Sequence, residues 1–215
     1  VMTSDLKLLY DGWRCAAEVN YSTGQLVRSY HWGLDLSGTM NGAGGVGGLL
    51  AVNSVANGVH FCAYDGNGNV TGLVKATDGT STAAYDYGPF GETVRATGAM
   101  ATENPFRFST KYTDDETDLL YYGYRFYNEN TGRWLSRDPI GEPDFAVVTD
   151  DEYPGGDGGW NLYGFVGNDA LGRYDYMGLQ WPPPPTPPPP HSPNTYPPEP
   201  EECGQSCSTQ DGMIG

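Results

Sequence analysis

Two acids stand out among the side chains of this chain that could do chemistry. Asp138 lies before a proline in the aromatic stretch YYGYRFYNENTGRWLSRDPIG, residues 121 to 141, which also holds Arg125, and Asp175 opens the later segment DYMGL. Two carboxyl groups brought close cannot both ionise cheaply, so they share a proton; the ionised one activates water while the other donates to a carbonyl oxygen. An arginine such as Arg125, 13 positions before Asp138 and across one hairpin, can fix a carboxylate through parallel hydrogen bonds. Plainer uses exist for the same residues. Asp138 before Pro139 suits a turn, Asp175 suits a strand-end cap, and Arg125 can pair with either acid or stack on a tyrosine.

Other chemistry is poorly supported. His31, His60 and His191 are far apart, with no metalloprotease, phosphate-loop or nucleophile-elbow pattern, so no metal and no cofactor is expected. Residues 42 to 47, GAGGVG, match GxGxxG, but no clear strand precedes them and no helical pattern follows, which makes them a Gly-rich turn. Cys15, Cys62, Cys203 and Cys207 are too scattered for a disulfide framework, and the CGQSC pair makes a poor zinc site. The formal net charge of −16 repels phosphate backbones and anionic lipid, which argues against nucleic acid as a partner. No run of about 18 apolar residues offers a membrane span.

The elements that must position these acids read as strands. The chain's 31 glycines are about twice the average share. With 16 tyrosines and few helix-forming runs, they indicate short strands and tight turns, hence a mainly β fold. Residues 6 to 30 read as strand, turn, strand. AYDGNGNVTGLVKAT and AYDYGPFGETVRATG start with Tyr64-Asp65 and Tyr85-Asp86, 21 positions apart, and Tyr10-Asp11 opens a weaker copy. Such a period marks stacked supersecondary units, here hairpins. After Asn104, DDETD supplies a turn, LLYYGYRFY one strand, NENTG a second turn and RWLS a return strand. Leu162, Phe165 and Val166 have the spacing of a short helix. Residues 180 to 215 carry 12 of the 17 prolines and are expected to be a disordered or semi-rigid tail.

The repeats, then FRFSTKYTDDETDLLYYGYRFYNENTGRWLSRDPIG, then NLYGFVGNDALGRYDYMGL, resemble the YD-repeat region and repeat-associated core of bacterial Rhs proteins across most of residues 60 to 179. The resemblance implies stacked hairpins forming the terminal part of a β-shell that encloses a C-terminal polypeptide. Related shells occur in the C components of insecticidal toxin complexes and in teneurins. It divides the chain into YD-like hairpins at 1–103, a core or shell plug at 104–179 and the Pro-rich tail at 180–215. In self-cleaving members an arginine of the aromatic strand and two aspartates act as an aspartic peptidase on the bond after a leucine. Carried over, these are Arg125, Asp138 and Asp175, and the bond is Leu179–Gln180. Tyr176 replaces the proline of the usual last motif, and the spacing of the two acids is wider than the family usually shows.

The implied partners are the remainder of a longer chain or shell and a secretion machinery or surface partner, in a bacterial protein that is secreted or held at the cell surface. The alternative is a non-catalytic structural or surface-interaction protein whose Pro-rich tail is a spacer or ligand. The few hairpins present cannot close a shell, and their free strand edges predict self-association or partner dependence.

Overall fold

The computed structural model describes residues 5–139, 161–173, 175 and 177–179. Gln180, the Pro-rich stretch, Cys203 and Cys207 and the acidic loop after Pro139 lie outside the described residues. The first sheet is an eight-stranded antiparallel meander: β1 (Leu6–Asp11), β2 (Arg14–Asn20), β3 (Leu26–Trp32), β4 (Leu49–Ser54), β5 (Gly58–Tyr64), β6 (Val70–Lys75), β7 (Ser81–Tyr87) and β8 (Thr93–Thr97). Each strand pairs with its neighbour in sequence, as hairpin turns of a few residues enforce everywhere except between β3 and β4, which the longer glycine-rich stretch at 33–48 joins. A second sheet has the order β12-β11-β10-β9, built from β9 (Tyr112–Asp114), β10 (Leu119–Tyr121), β11 (Phe126–Asn128) and β12 (Arg133–Trp134). The fold is mainly β and antiparallel, and the described strands do not close into a barrel.

Turn acids do the work that the repeat pattern indicates. Asp65 Oδ1 accepts the amides of Asn67 and Asn69, each at 2.9 Å, and Asp78 Oδ1 accepts that of Thr80 at 2.9 Å. Such side-chain turns hold the chain reversal without help from the ladder. The tyrosines tie neighbouring hairpins together. Tyr64 donates its hydroxyl to the Leu49 carbonyl, and Tyr87 donates to the Val70 carbonyl at 2.6 Å. The phenol that repeats the role of Tyr64 is therefore Tyr87; Tyr85 points instead to the Ala101 carbonyl, at 3.0 Å. Asp86 sits within β7 and pairs with Arg95 of β8 at 2.6 Å rather than opening a turn.

One face of the large sheet is covered. Leu49, Val52, Val70, Leu73 and Tyr85 pack with Met100, Ala101 and Phe106 from the segment after β8. A buried polar clamp holds the other flank: Glu18, fully buried, accepts from Arg28 Nε at 2.7 Å and from the Tyr30 hydroxyl at 2.6 Å. The second core is aromatic. Tyr122, Tyr127, Trp134 and Phe165 meet with Phe108, and the rings of Tyr127 and Phe165 stand 4.2 Å apart. Phe165 comes from residues 161–173, whose helical piece is a single turn at Val166–Asn168; it has φ of 40°, 66° and 62°, so it is left-handed, and it leaves Leu162 and Phe165, on which the expected short helix rested, outside it.

LLYYGYRFY is not one strand. It folds into a tight hairpin in which Tyr121 of β10 pairs with Phe126 of β11. Gly123, at φ +101°, lies in the connection, and a Cβ there would stand 3.1 Å from the Trp13 ring. The alternation of aromatics conceals this reversal, because every residue around the glycine is itself a strand former.

The glycine-rich loop between β3 and β4 wraps around an internal anion. Asp35 Oδ2 accepts the amides of Ala43 at 2.8 Å and Gly45 at 3.1 Å, while Oδ1 accepts from the Ser37 hydroxyl at 2.6 Å. A strand, β4, follows the loop, so its amides serve the chain's own carboxylate rather than a helix-borne phosphate site.

Candidate functional site

The hairpin reversal puts Arg125 at the end of the β10–β11 turn, where its carbonyl accepts from the Tyr122 amide at 3.0 Å and its side chain turns into the protein. The guanidinium is fully buried. It lies against the Trp134 ring at 4.1 Å, an arrangement that returns part of the cost of desolvating the cation. Trp134 is brought there by the β11–β12 hairpin, in which it pairs with Tyr127.

Arg125 gathers four pieces of chain. Its Nη2 stands 2.8 Å from Asp138 Oδ2 and 3.5 Å from Asp175 Oδ2. Nη1 donates to the Leu162 carbonyl at 3.1 Å, and Nε donates to the Gly178 carbonyl. The structure thus brings Arg125, Asp138 and Asp175 together, with both carboxylates on one nitrogen. Asp138 is fully buried and Asp175 nearly so. The Asp138 amide also donates to the Leu162 carbonyl, at 3.1 Å, so the strand end after β12 is laced to residues 161–173.

Asp175 closes a turn on itself. Its Oδ1 accepts the amides of Met177 at 3.1 Å, Gly178 at 2.7 Å and Leu179 at 3.1 Å. Gly178 makes the turn possible at φ +73°, where an L side chain is strained, and a Cβ would crowd Tyr122 Cβ at 3.1 Å and the Arg125 amide nitrogen at 3.2 Å. Met177 accepts from the Tyr124 amide at 3.1 Å. Leu179 is therefore held beside the acids.

Burial dominates the electrostatics. It pushes the Asp175 carboxyl up to about 6, against the pull of Arg125, the Gly178 and Leu179 amides and Lys111. Burial also draws the Arg125 guanidinium below its usual range, opposed by Asp138 and Asp175. A carboxyl that carries its proton into mildly acidic solution, beside a second carboxyl and an arginine, has the parts of a general acid–base pair.

Four contributors were hidden from sequence reasoning: Trp134 under the guanidinium, the carbonyls of Leu162 and Gly178, and Lys111, whose charge reaches Asp175. Trp134 had a visible signal in its place on the strand that returns from Arg125. Carbonyls carry no signal in a sequence. Among the described residues no group of His, Cys, Asp and Glu could hold a metal ion.

No protein-family model matches the chain. Among curated proteins, 97 residues are 37% identical to double-stranded DNA deaminase toxin A of Burkholderia cenocepacia, over 45% of this chain and 7% of that protein. A further 119-residue match is 32% identical to toxin subunit YenC2 of Yersinia entomophaga, over 54% of this chain and 11% of that subunit. The chain is a relative of the Rhs and toxin-complex C proteins. It spans about a tenth or less of the length of these two relatives. Among solved structures, the Tc holotoxin pore of Photorhabdus luminescens aligns over 81% of this chain and 8% of that one, with TM-score 0.55 and 22% identity. The TcdB2-TccC3 complex aligns over 76% and 7%, with TM-score 0.52 and 23% identity. At that identity these structures speak to the fold, which fits the β-shell class expected of an Rhs relative. Among the described residues no helix is long and apolar enough to cross a membrane.

Proposed function

We propose that this chain is the terminal part of an Rhs-type encapsulating β-shell that cuts itself once, after Leu179, to free a C-terminal passenger. Residues 104–179 are then the plug, preceded by the YD-like hairpins at 1–103 and followed by the tail at 180–215. Arg125, Asp138 and Asp175 are the reacting constellation. The observation that carries this reading is the convergence of two buried carboxylates on Nη2 of an arginine whose Nε holds the Gly178 carbonyl, one residue before the bond.

In this mechanism Asp175 holds the proton. Asp138 takes a proton from water as the water oxygen bonds to the Leu179 carbonyl carbon, and Asp175 passes its proton to the carbonyl oxygen. The tetrahedral species collapses: the C–N bond to Gln180 breaks, the leaving amine takes the proton from Asp138, and one of the two hydroxyls returns its proton to Asp175 as the Leu179 carboxyl forms. Arg125 holds the carboxylates and the neighbouring carbonyl in register, which converts an encounter with water into an intramolecular step. The toxins among the relatives support a delivered or secreted setting within a larger assembly.

Intact mass of the purified full chain is the test. A product ending at Leu179 is expected, absent in Asp138→Asn and in Asp175→Asn. A chain that remains whole through prolonged incubation removes the catalytic reading.

A second reading rests on Asp175 Oδ1, whose three amide bonds make it a turn cap. In it the same ion network only locks the shell end, in a structural or surface-interaction protein. The uncut mass is its expected result, with both Asn variants folded less stably.

A further inference from the structure

Lys111 is buried at the back of the candidate site, and its surroundings say what its charge is for. Ser109 and Thr110, at φ 49° and 53°, are both left-handed, a conformation that costs non-glycine residues about 1–2 kcal/mol each. Buried bonds hold them there: the Ser109 amide donates to Asn69 Oδ1 at 2.7 Å, and the Thr110 hydroxyl donates to the Gly68 carbonyl at 2.7 Å. The next side chain is thereby sent inward. Lys111 Nζ donates to the Gly44 carbonyl at 2.9 Å and stands 5.1 Å from the Tyr122 ring centre. Lys111, Tyr122 and Met177 line one cavity of about 30 Å³ between the two sheets, and Tyr122 is also the residue against which Gly178 turns. Lys111 thus shares this cavity with Met177 of the 175–179 turn, whose Gly178 carbonyl Arg125 holds.

We propose that Lys111 is a positioning residue for Asp175, fixing a buried positive charge behind the turn and so setting the pH range over which Asp175 serves as the acid; this rests on the self-cutting reading above.

Among the described residues, these charged groups lie around it. Asp175 and, next, Asp35 of the glycine-rich loop are the carboxylates that act on Lys111, against a burial that draws its ammonium down to about 8. Arg125 and Asp138 face Asp175 from the front. Arg14 lines the same cavity. The phenols of Tyr10, Tyr112 and Tyr122 are raised far above their usual range by burial and stay neutral.

The experiment is a pair of NMR titrations on the full chain. The Asp175 side-chain carboxyl is followed against pH in the wild type and in Lys111→Met, and the rate of appearance of the Leu179 product is followed over the same range. Loss of the ammonium should raise the Asp175 midpoint and carry the alkaline limb of the cutting rate upward with it. Asp35→Asn, which loosens the glycine loop and keeps the ammonium, should lower the melting temperature and leave the Asp175 midpoint in place. Should Lys111→Met not fold, the Lys111 side-chain resonances answer instead: Asp175→Asn should lower the Lys111 midpoint. An Asp175 midpoint unmoved by Lys111→Met, or a Lys111 midpoint unmoved by Asp175→Asn, overturns the assignment. Intact mass remains separate, since an uncut chain with shifted midpoints would sink the cutting reaction alone.

Discussion

Asp175 carries two demands that pull its proton in opposite directions. Three amides and two cations favour its charge, yet burial outweighs them and keeps the carboxyl up to about 6. A carboxyl raised in the folded state contributes stability that is complete below the unfolded value of about 4 and is lost as pH rises through about 6. Melting temperature should therefore fall between pH 4 and 6.5 in the wild type, by an equivalent of up to about 3 kcal/mol. Asp175→Asn should flatten that slope. The cut itself should fade over the same interval, because the proton donor is lost. If cutting instead quickens steadily toward pH 8, Asp175 is not the acid. The resemblance of the aromatic stretch and of DYMGL to self-cleaving Rhs proteins pointed to Arg125, Asp138 and Asp175, but not to the balance of burial and charge among them. Burial leads that balance, and Lys111, which no motif ties to the acids, is among the groups that oppose it at Asp175.

At the scale of elements, the site exists because two short hairpins share one strand, β11. β10 and β11 reverse at Gly123, and β11 and β12 bring Trp134 beneath Arg125. The 175–179 turn depends on Gly178 at φ +73°. Gly178→Ala should destabilise the protein by about 1–2 kcal/mol from backbone conformation alone, and further because Tyr122 and the Arg125 backbone crowd the new methyl. Denaturant unfolding measures the first effect, and cutting should slow more than stability alone accounts for, since the carbonyl held by Arg125 shifts. Phe165→Ala tests the other support. It empties a site between Tyr127, Trp134 and Phe108, and a loss of about 3–5 kcal/mol is expected. A loss under 1 kcal/mol would mean that residues 161–173 are not anchored through this ring.

Across the whole molecule, β1 and β8 end the large sheet without a further described strand beside them. β1 exposes Leu9 and Tyr10. Unpaired edges of this kind template further strands, so the full chain should show a concentration-dependent mass by light scattering, reduced by Leu9→Lys. A strictly monomeric mass at all concentrations would mean that the edge is masked. The sequence alone determined the class of the fold, since its turn residues, tyrosines and YD spacing allow little but antiparallel hairpins, and local preferences suffice for that. It also carried the motifs whose resemblance to self-cleaving Rhs proteins marks three side chains as candidates. Their meeting was decided by tertiary structure. Hidden from any linear reading were the reversal at Gly123 within an unbroken aromatic run, the sharing of one guanidinium by acids from separate segments, and the placing of Lys111 behind them. Each depends on what packs against a residue from far along the chain, and burial of that kind sets both the geometry and the proton affinities of the site.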